Sequence, residues 1–137
     1  MVRMEVIRKR LNALDEYLSI LEKLGKYDRQ TFLDRPEYYG STERFLQLAI
    51  ETLTDIGGHV IADLNLGSVD HYNDIPQILA EKGYLSSDQA ETWIRMIGFR
   101  NILVHDYLDV DRSIVYDILQ NRLKDLHSLK QVFIRFL

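Results

Sequence analysis

The sequence contains no cysteine. That excludes a disulfide framework, a thiol nucleophile and a cysteine zinc site, and it fits a reducing compartment. There are only two prolines, Pro36 and Pro76, so few positions force a helix to stop. No apolar run approaches the roughly 18–20 residues needed to span a membrane. The N-terminal stretch MVRMEVIRKRLNALDEY carries charges where a signal peptide has an apolar segment. The expectation is a cytoplasmic protein with no membrane association. No stretch alternates apolar and polar residues as a half-buried strand does. Internal repeats, linkers and low-complexity tracts are also missing.

What is present is an ordinary globular composition, 46% hydrophobic and 28% charged over 137 residues. That length suggests one domain spanning residues 1–137, which buries roughly two-thirds of its unfolded surface. The net charge is −4, but it is unevenly spread. Residues 1–10 carry Arg3, Arg8, Lys9 and Arg10 against Glu5, and residues 112–137 carry five basic and two acidic side chains. The acidic excess lies between these two ends. A general nucleic-acid binder is usually basic, so any nucleic-acid contact here needs a local positive site.

Helical periodicity dominates. Met4, Ile7, Leu11, Leu14, Leu18 and Leu21 recur in steps of three and four, which predicts an amphipathic helix ending near Gly25. Residues 26–41 are turn-rich, with room for a short helix over Thr31–Arg35. Ser41 or Thr42 is the expected cap of a long helix carrying Leu46, Ala49, Leu53, Ile56, Val60 and Leu64, with Gly67 closing it. Gly57-Gly58 interrupts that row, and close helix packing is the expected reason. Asn73 or Asp74 starts a short helix ending at Gly83, Ser86 or Ser87 caps a helix running to about Val104, and Asp111 caps a last helix. Its apolar edge holds Val115, Leu119, Leu123, Leu126, Phe133 and Leu137. The fold class is all-α, an up-and-down helical bundle of four or five main helices.

One segment, Trp93 to Tyr107, places polar groups where packing favours apolar ones. On a helix the neighbours of Arg100 are Met96, Ile97, Leu103 and Val104. An arginine in such a stripe snorkels at the helix edge, pairs with a carboxylate or holds a ligand. His105 lies five residues on, roughly 140° around and about 7.5 Å along an unbroken helix. The two side chains therefore share a site only if the helix ends or bends near Val104, or if a second subunit brings its own copy across.

Arg100-Asn101-x3-His105-x-Tyr107 resembles the R-x4-H-x-Y signature of the HEPN superfamily, in its HepT-like toxin branch. The resemblance extends to chain size, all-helical order, the long second main helix and the motif helix followed by a final amphipathic one. Arg122 and His127 repeat the R-x4-H spacing, but Leu129 stands where the tyrosine is required. The resemblance implies the toxin of a type VII-like toxin–antitoxin pair. It would be a homodimeric, metal-independent endoribonuclease with Arg100 and His105 in a shared cleft. A histidine near neutral pH can take the proton of a ribose 2′-OH, and arginine can grip the phosphate and stabilise its developing charge. Asn101 would orient the phosphate or the histidine. Tyr107 would be the acceptor of AMP from an MntA-like nucleotidyltransferase antitoxin, and the adenylyl phosphate would then occupy Arg100.

Glu51, Asp55 and His59 form one polar stripe at i, i+4 and i+8. It is either a solvated helix face or a source of carboxylates that orient Arg100 or His105. Asp55 and His59 have helix-ligand spacing, but two ligands do not make a metal site, and neither metal nor cofactor is expected. His71 lies in a turn-rich loop with nothing arranged around it. His127 belongs to the surface or an interface. The N-terminal basic cluster is a solvated face or a source of phosphate contacts at a cleft rim. Two other functional classes remain open. One is a non-enzymatic helical docking subunit for a minimal nucleotidyltransferase. The other is a purely structural bundle in which Arg100 pairs with an acid such as Asp55 and faces no cleft.

Overall fold

The computed structural model describes all 137 residues, and every regular element is helical. Helix α1 spans Met4–Leu24, α2 Arg29–Asp34, α3 Pro36–Asp63, α4 Asp74–Glu81, α5 Ser87–His105, α6 Arg112–Asn121 and α7 Leu123–Ile134. A single 3-10 turn, Tyr107–Asp109, follows α5. No helix is long and apolar enough to cross a membrane.

The periodic rows bury as their spacing predicts. Ile7, Leu11, Leu14, Leu18 and Leu21 of α1 face Leu46, Ala49, Leu53, Ile56 and Val60 of α3 in one core. Met4 and Leu137, at the ends of their rows, stay exposed. The two helices run antiparallel, and their polar edges give the register. Arg3 meets Asp63, Arg10 meets Asp55, and Tyr17 packs on Phe45. Helix α3 touches all six other α-helices, so it is the central strut.

Several boundaries differ from the sequence expectation. Helix α3 begins at Pro36 rather than after Ser41, because the proline takes the first helical position, where its missing N–H costs nothing. Thr42 then lies inside the helix, fully buried, and its hydroxyl donates to the Tyr38 carbonyl. The helix also ends earlier than Gly67. Leu64 is its cap and Asn65 takes the left-handed turn at φ 52°, a conformation asparagine tolerates. The last helix divides at Arg122, whose φ of −118° separates α6 from α7. The short second helix starts earlier than Thr31, with Asp28 as its cap, and Asn73 precedes α4 without a side-chain capping bond. The expected caps at Ser86, in a box with Gln89, and at Asp111 hold.

Trp93 of α5 fixes how closely α5 approaches α3. Its ring is fully buried, edge-on to Phe133 of α7, and its Nε1–H donates to Thr54 Oγ1 at 3.2 Å. Gly57 makes room for it. A Cβ there would lie 2.6 Å from Ile75 Cγ2 and 2.9 Å from the Trp93 ring. Gly58 is different, because a Cβ would meet only Ile75 Cδ1, at 3.8 Å. Helix packing therefore accounts for the first glycine alone.

The pair predicts opposite responses to alanine. Gly57→Ala overpacks a rigid core, and after the helix-propensity gain a net loss on the order of 1 kcal/mol is expected. Gly58→Ala should instead stabilise by about 0.5–1 kcal/mol. Urea unfolding of the two variants checks this, and a shift of the same sign in both would contradict it.

Candidate active site

Arg100 sits on the face of α5 that turns toward α3. Its Nε and Nη2 both donate to Glu51 Oε1, at 2.9 and 2.7 Å. Its Nη1 donates to Asn101 Oδ1 at 3.3 Å, and its guanidinium lies 5.9 Å from the Tyr72 ring centroid. Only 19% of the side chain is exposed, so the charge is oriented rather than free in solvent. Glu51 is itself held by Gln47 Nε2 at 3.0 Å, one turn earlier on α3. Burial, the largest single influence, pushes the Glu51 carboxyl up. The hydrogen bonds from Gln47 and Arg100 and the charges of Arg100 and Arg44 together outweigh it and hold the group below its ordinary value.

This ion pair borders a cavity of about 430 Å³ between α3, α4 and α5. Ile50, Ile75 and Ile97 give it apolar walls, while Thr54, Asp55 and Gly58 line its α3 side. A shallower groove shares Tyr72 and Ile97 with it and continues past His71 and Asn101. Arg100 thus does pair with an acid, but the acid is Glu51 and the arginine faces a cleft.

The stripe on α3 divides by function. Glu51 turns to Arg100. Asp55 borders the same cavity, yet its carboxylate pairs with Arg10 and lies 3.6 Å from His59 Nε2. His59 Nδ1 is 3.3 Å from Arg3 Nη2, so Asp55 and His59 belong to the α1–α3 seam. Of the N-terminal basic cluster, Arg3 and Arg10 are used there, while Arg8 and Lys9 remain exposed. No three acidic or histidine side chains converge as metal ligands.

His105 and Tyr107 stand apart from this pair. Helix α5 continues unbroken through His105 and ends at Asp106, whose N–H returns to the Ile102 carbonyl. Within one chain the helix therefore does turn His105 away from Arg100, and His105 is exposed. Tyr107 begins the 3-10 turn and is 67% exposed, beside Leu108 at 86%. The second R-x4-H match is structural at both ends. Arg122 pairs with Asp125, and His127 Nε2 lies 2.8 Å from Glu22.

Sequence reasoning missed Gln47, Tyr72 and the groove face of His71. Gln47 was legible as the residue four before Glu51. Tyr72 was not, because its place follows from the path of the loop between α3 and α4. Asp74 fixes that loop by accepting from the backbone N–H groups of Asp70 and His71, both at 3.0 Å.

A family model described as HepT-like, ribonuclease HepT-like, matches residues 14–133. The chain belongs to the HepT-like ribonuclease family. It is 30% identical over 113 residues to a protein named tRNA nuclease HepT from Aphanizomenon flos-aquae, covering 81% of this chain and 76% of that one. It is also 30% identical over 87 residues to one named mRNA nuclease HepT from Shewanella oneidensis, covering 64% of this chain and 65% of the other. The match thus spans just under two-thirds of the Shewanella nuclease. Among solved structures, the fold is shared with a tri-AMPylated Shewanella oneidensis HEPN toxin in complex with an MNT antitoxin. There the TM-score is 0.88 at 23% identity, covering 95% of this chain and 97% of that one.

The ion pair generates a pH prediction. Folding lowers the Glu51 pKa, so the pair contributes fully above the unfolded value and is lost as pH falls through the folded one. Glu51→Gln lacks this dependence. The stability gap between wild type and variant should stay flat down to about pH 5 and close below about pH 4. Urea midpoints across that range check it, and a gap that persists at acid pH would contradict it.

Proposed function

We propose that the protein is a metal-independent endoribonuclease and the toxin of a type VII-like toxin–antitoxin pair. It acts as a homodimer whose cleft joins the Arg100 of one subunit to the His105 of the other. The observation that carries this reading is the Arg100–Glu51 pair at the mouth of a cleft, with His105 displaced along the same unbroken helix. One chain supplies a held cation and, separately, an exposed histidine. Two antiparallel copies of α5 would supply both together.

The exposed face of α5 supports that dimer. Glu91, Arg95, Gly98, Ile102 and His105 follow at steps of four and three, and all are exposed. A Cβ on Gly98 would meet nothing within 4 Å, and Ile102 leaves 43% of its surface in solvent. A small residue beside an exposed isoleucine allows a partner helix to approach closely.

In the proposed reaction His105 takes the proton of a ribose 2′-OH, and the 2′-oxygen attacks the adjacent phosphorus. The P–O5′ bond breaks and the departing 5′-oxygen takes a proton from water. The products are a 2′,3′-cyclic phosphate and a 5′-hydroxyl end. Arg100 stabilises charge on the phosphate oxygens, and Glu51 and Asn101 are positioning residues that set its guanidinium. Asp55 supports the cleft through its bond to Arg10.

Regulation follows from Tyr107. Its exposure and place just past His105 make it accessible to an MntA-like nucleotidyltransferase antitoxin. AMP transferred to its hydroxyl would place an anion two residues from His105, within the electrostatic reach of a partner Arg100.

Purified protein, shown by intact mass to be unmodified, should cleave a pool of tRNA and mRNA in EDTA. His105→Ala and Arg100→Ala should each lose roughly 10²–10⁴-fold in rate. No cleavage by the unmodified protein would overturn the enzymatic reading in favour of a docking subunit.

A further inference from the structure

We infer that the cavity beside Arg100 is a nucleobase subsite, taking an RNA base that bears an exocyclic amino group next to the phosphate that Arg100 grips. The RNA as source of the base rests on the nuclease reading. The chemistry of the cavity stands on its own geometry.

Three features point to a flat, partly apolar ligand. At about 430 Å³ the space lies within the range of small-molecule sites. Its walls are the side chains of Ile50, Ile75 and Ile97, which suit the faces of a base. Tyr72 stands at the rim, 56% exposed, with its ring already beside the Arg100 guanidinium. Base–aromatic stacking beside an arginine is a recurrent way to hold single-stranded RNA.

The polar groups give the preference among bases. Apart from Arg100 and the Tyr72 hydroxyl, the cavity offers acceptors. Thr54 has committed its hydroxyl proton to the Ile50 carbonyl at 2.7 Å and accepts from Trp93, which leaves one lone pair. Glu51 takes Gln47 and Arg100 both on Oε1, so its Oε2 has no hydrogen-bond partner. Asp55 also borders the cavity, but its carboxylate is engaged by Arg10 and His59, so the open acceptor is Glu51 Oε2. Adenine, cytosine and guanine each present an amino donor to such a wall. Uracil presents two carbonyl oxygens around one N–H, and a carbonyl oxygen set against the Glu51 carboxylate is unfavourable.

Gly58 is the independent observation. Glycine inside a helix is destabilising relative to alanine. Gly57 recovers this by admitting Trp93, but Gly58 has no such neighbour. It borders the cavity instead, and any larger side chain there would project into the space a base needs.

The test is titration of unmodified protein with AMP, CMP and UMP, followed by calorimetry or NMR, alongside Gly58→Leu and Tyr72→Ala. AMP and CMP should bind at least about tenfold more tightly than UMP. Gly58→Leu should abolish binding with its circular dichroism unchanged. Tyr72→Ala, on an exposed loop, should weaken binding about tenfold, and it carries the test alone if the leucine variant does not fold. UMP binding as tightly as AMP, or AMP binding undiminished in the folded variants, would overturn the subsite. Mononucleotide binding lost in Gly58→Leu with RNA cleavage unchanged would overturn the cavity's role with RNA. If the expected binding pattern appears in a protein that cleaves no RNA, the subsite stands and the nuclease reading falls.

Discussion

The close approach of α5 to α3 at Gly57 determines what Arg100 can reach. Trp93 enters the gap that glycine leaves, donates to Thr54, and packs edge-on against Phe133. Two turns further along α5, Arg100 arrives opposite Glu51. A side chain at position 57 would push the helices apart where this register is set. The charge at the cleft is therefore placed by an apolar contact about 10 Å away along the helix. The same contact presents Ile97 and Ile75 to the cavity, so packing and site geometry are one arrangement.

The site holds an oriented cation in a protein whose net charge is negative. The net charge is −4, and long-range attraction of RNA is correspondingly weak. What the fold supplies is orientation at short range. Glu51 fixes the guanidinium by two bonds to a single oxygen, and Asn101 takes a third from its other side. A held arginine loses less freedom on meeting a phosphate than one that must first be ordered. Its Coulombic pairing with Glu51 is the cost, and in the proposed reaction a phosphate would share the guanidinium with that carboxylate.

The helical plan was legible in residues because its signals are local. Apolar steps of three and four marked α1, α3 and the α6–α7 region, and the Ser86 and Asp111 caps were visible as cap residues. Where the reading failed, two local rules competed. Ser41 is a good cap, but Pro36 is an earlier and stronger start, and the helix absorbs Gly40 and Ser41 once begun. Arg100 and Asn101 were legible as polar intrusions on an apolar helix, and Glu51 as one of three members of a stripe. Which carboxylate would meet the arginine was not, since the choice of Glu51 over Asp55 depends on the α3–α5 register. Tyr72 was less legible still, because the loop before α4 carries no periodicity.

Arg100 and His105 lie apart along one unbroken helix, and the site proposed above is complete only where two subunits combine. Arg100→Ala and His105→Ala, each inactive alone, should be mixed under conditions that exchange subunits and assayed for RNA cleavage. Activity should return in the mixture, because a mixed dimer joins the intact arginine of one subunit to the intact histidine of the other. A mixture that forms mixed dimers, as native mass spectrometry would establish, yet stays as inactive as its parents would contradict the two-subunit site.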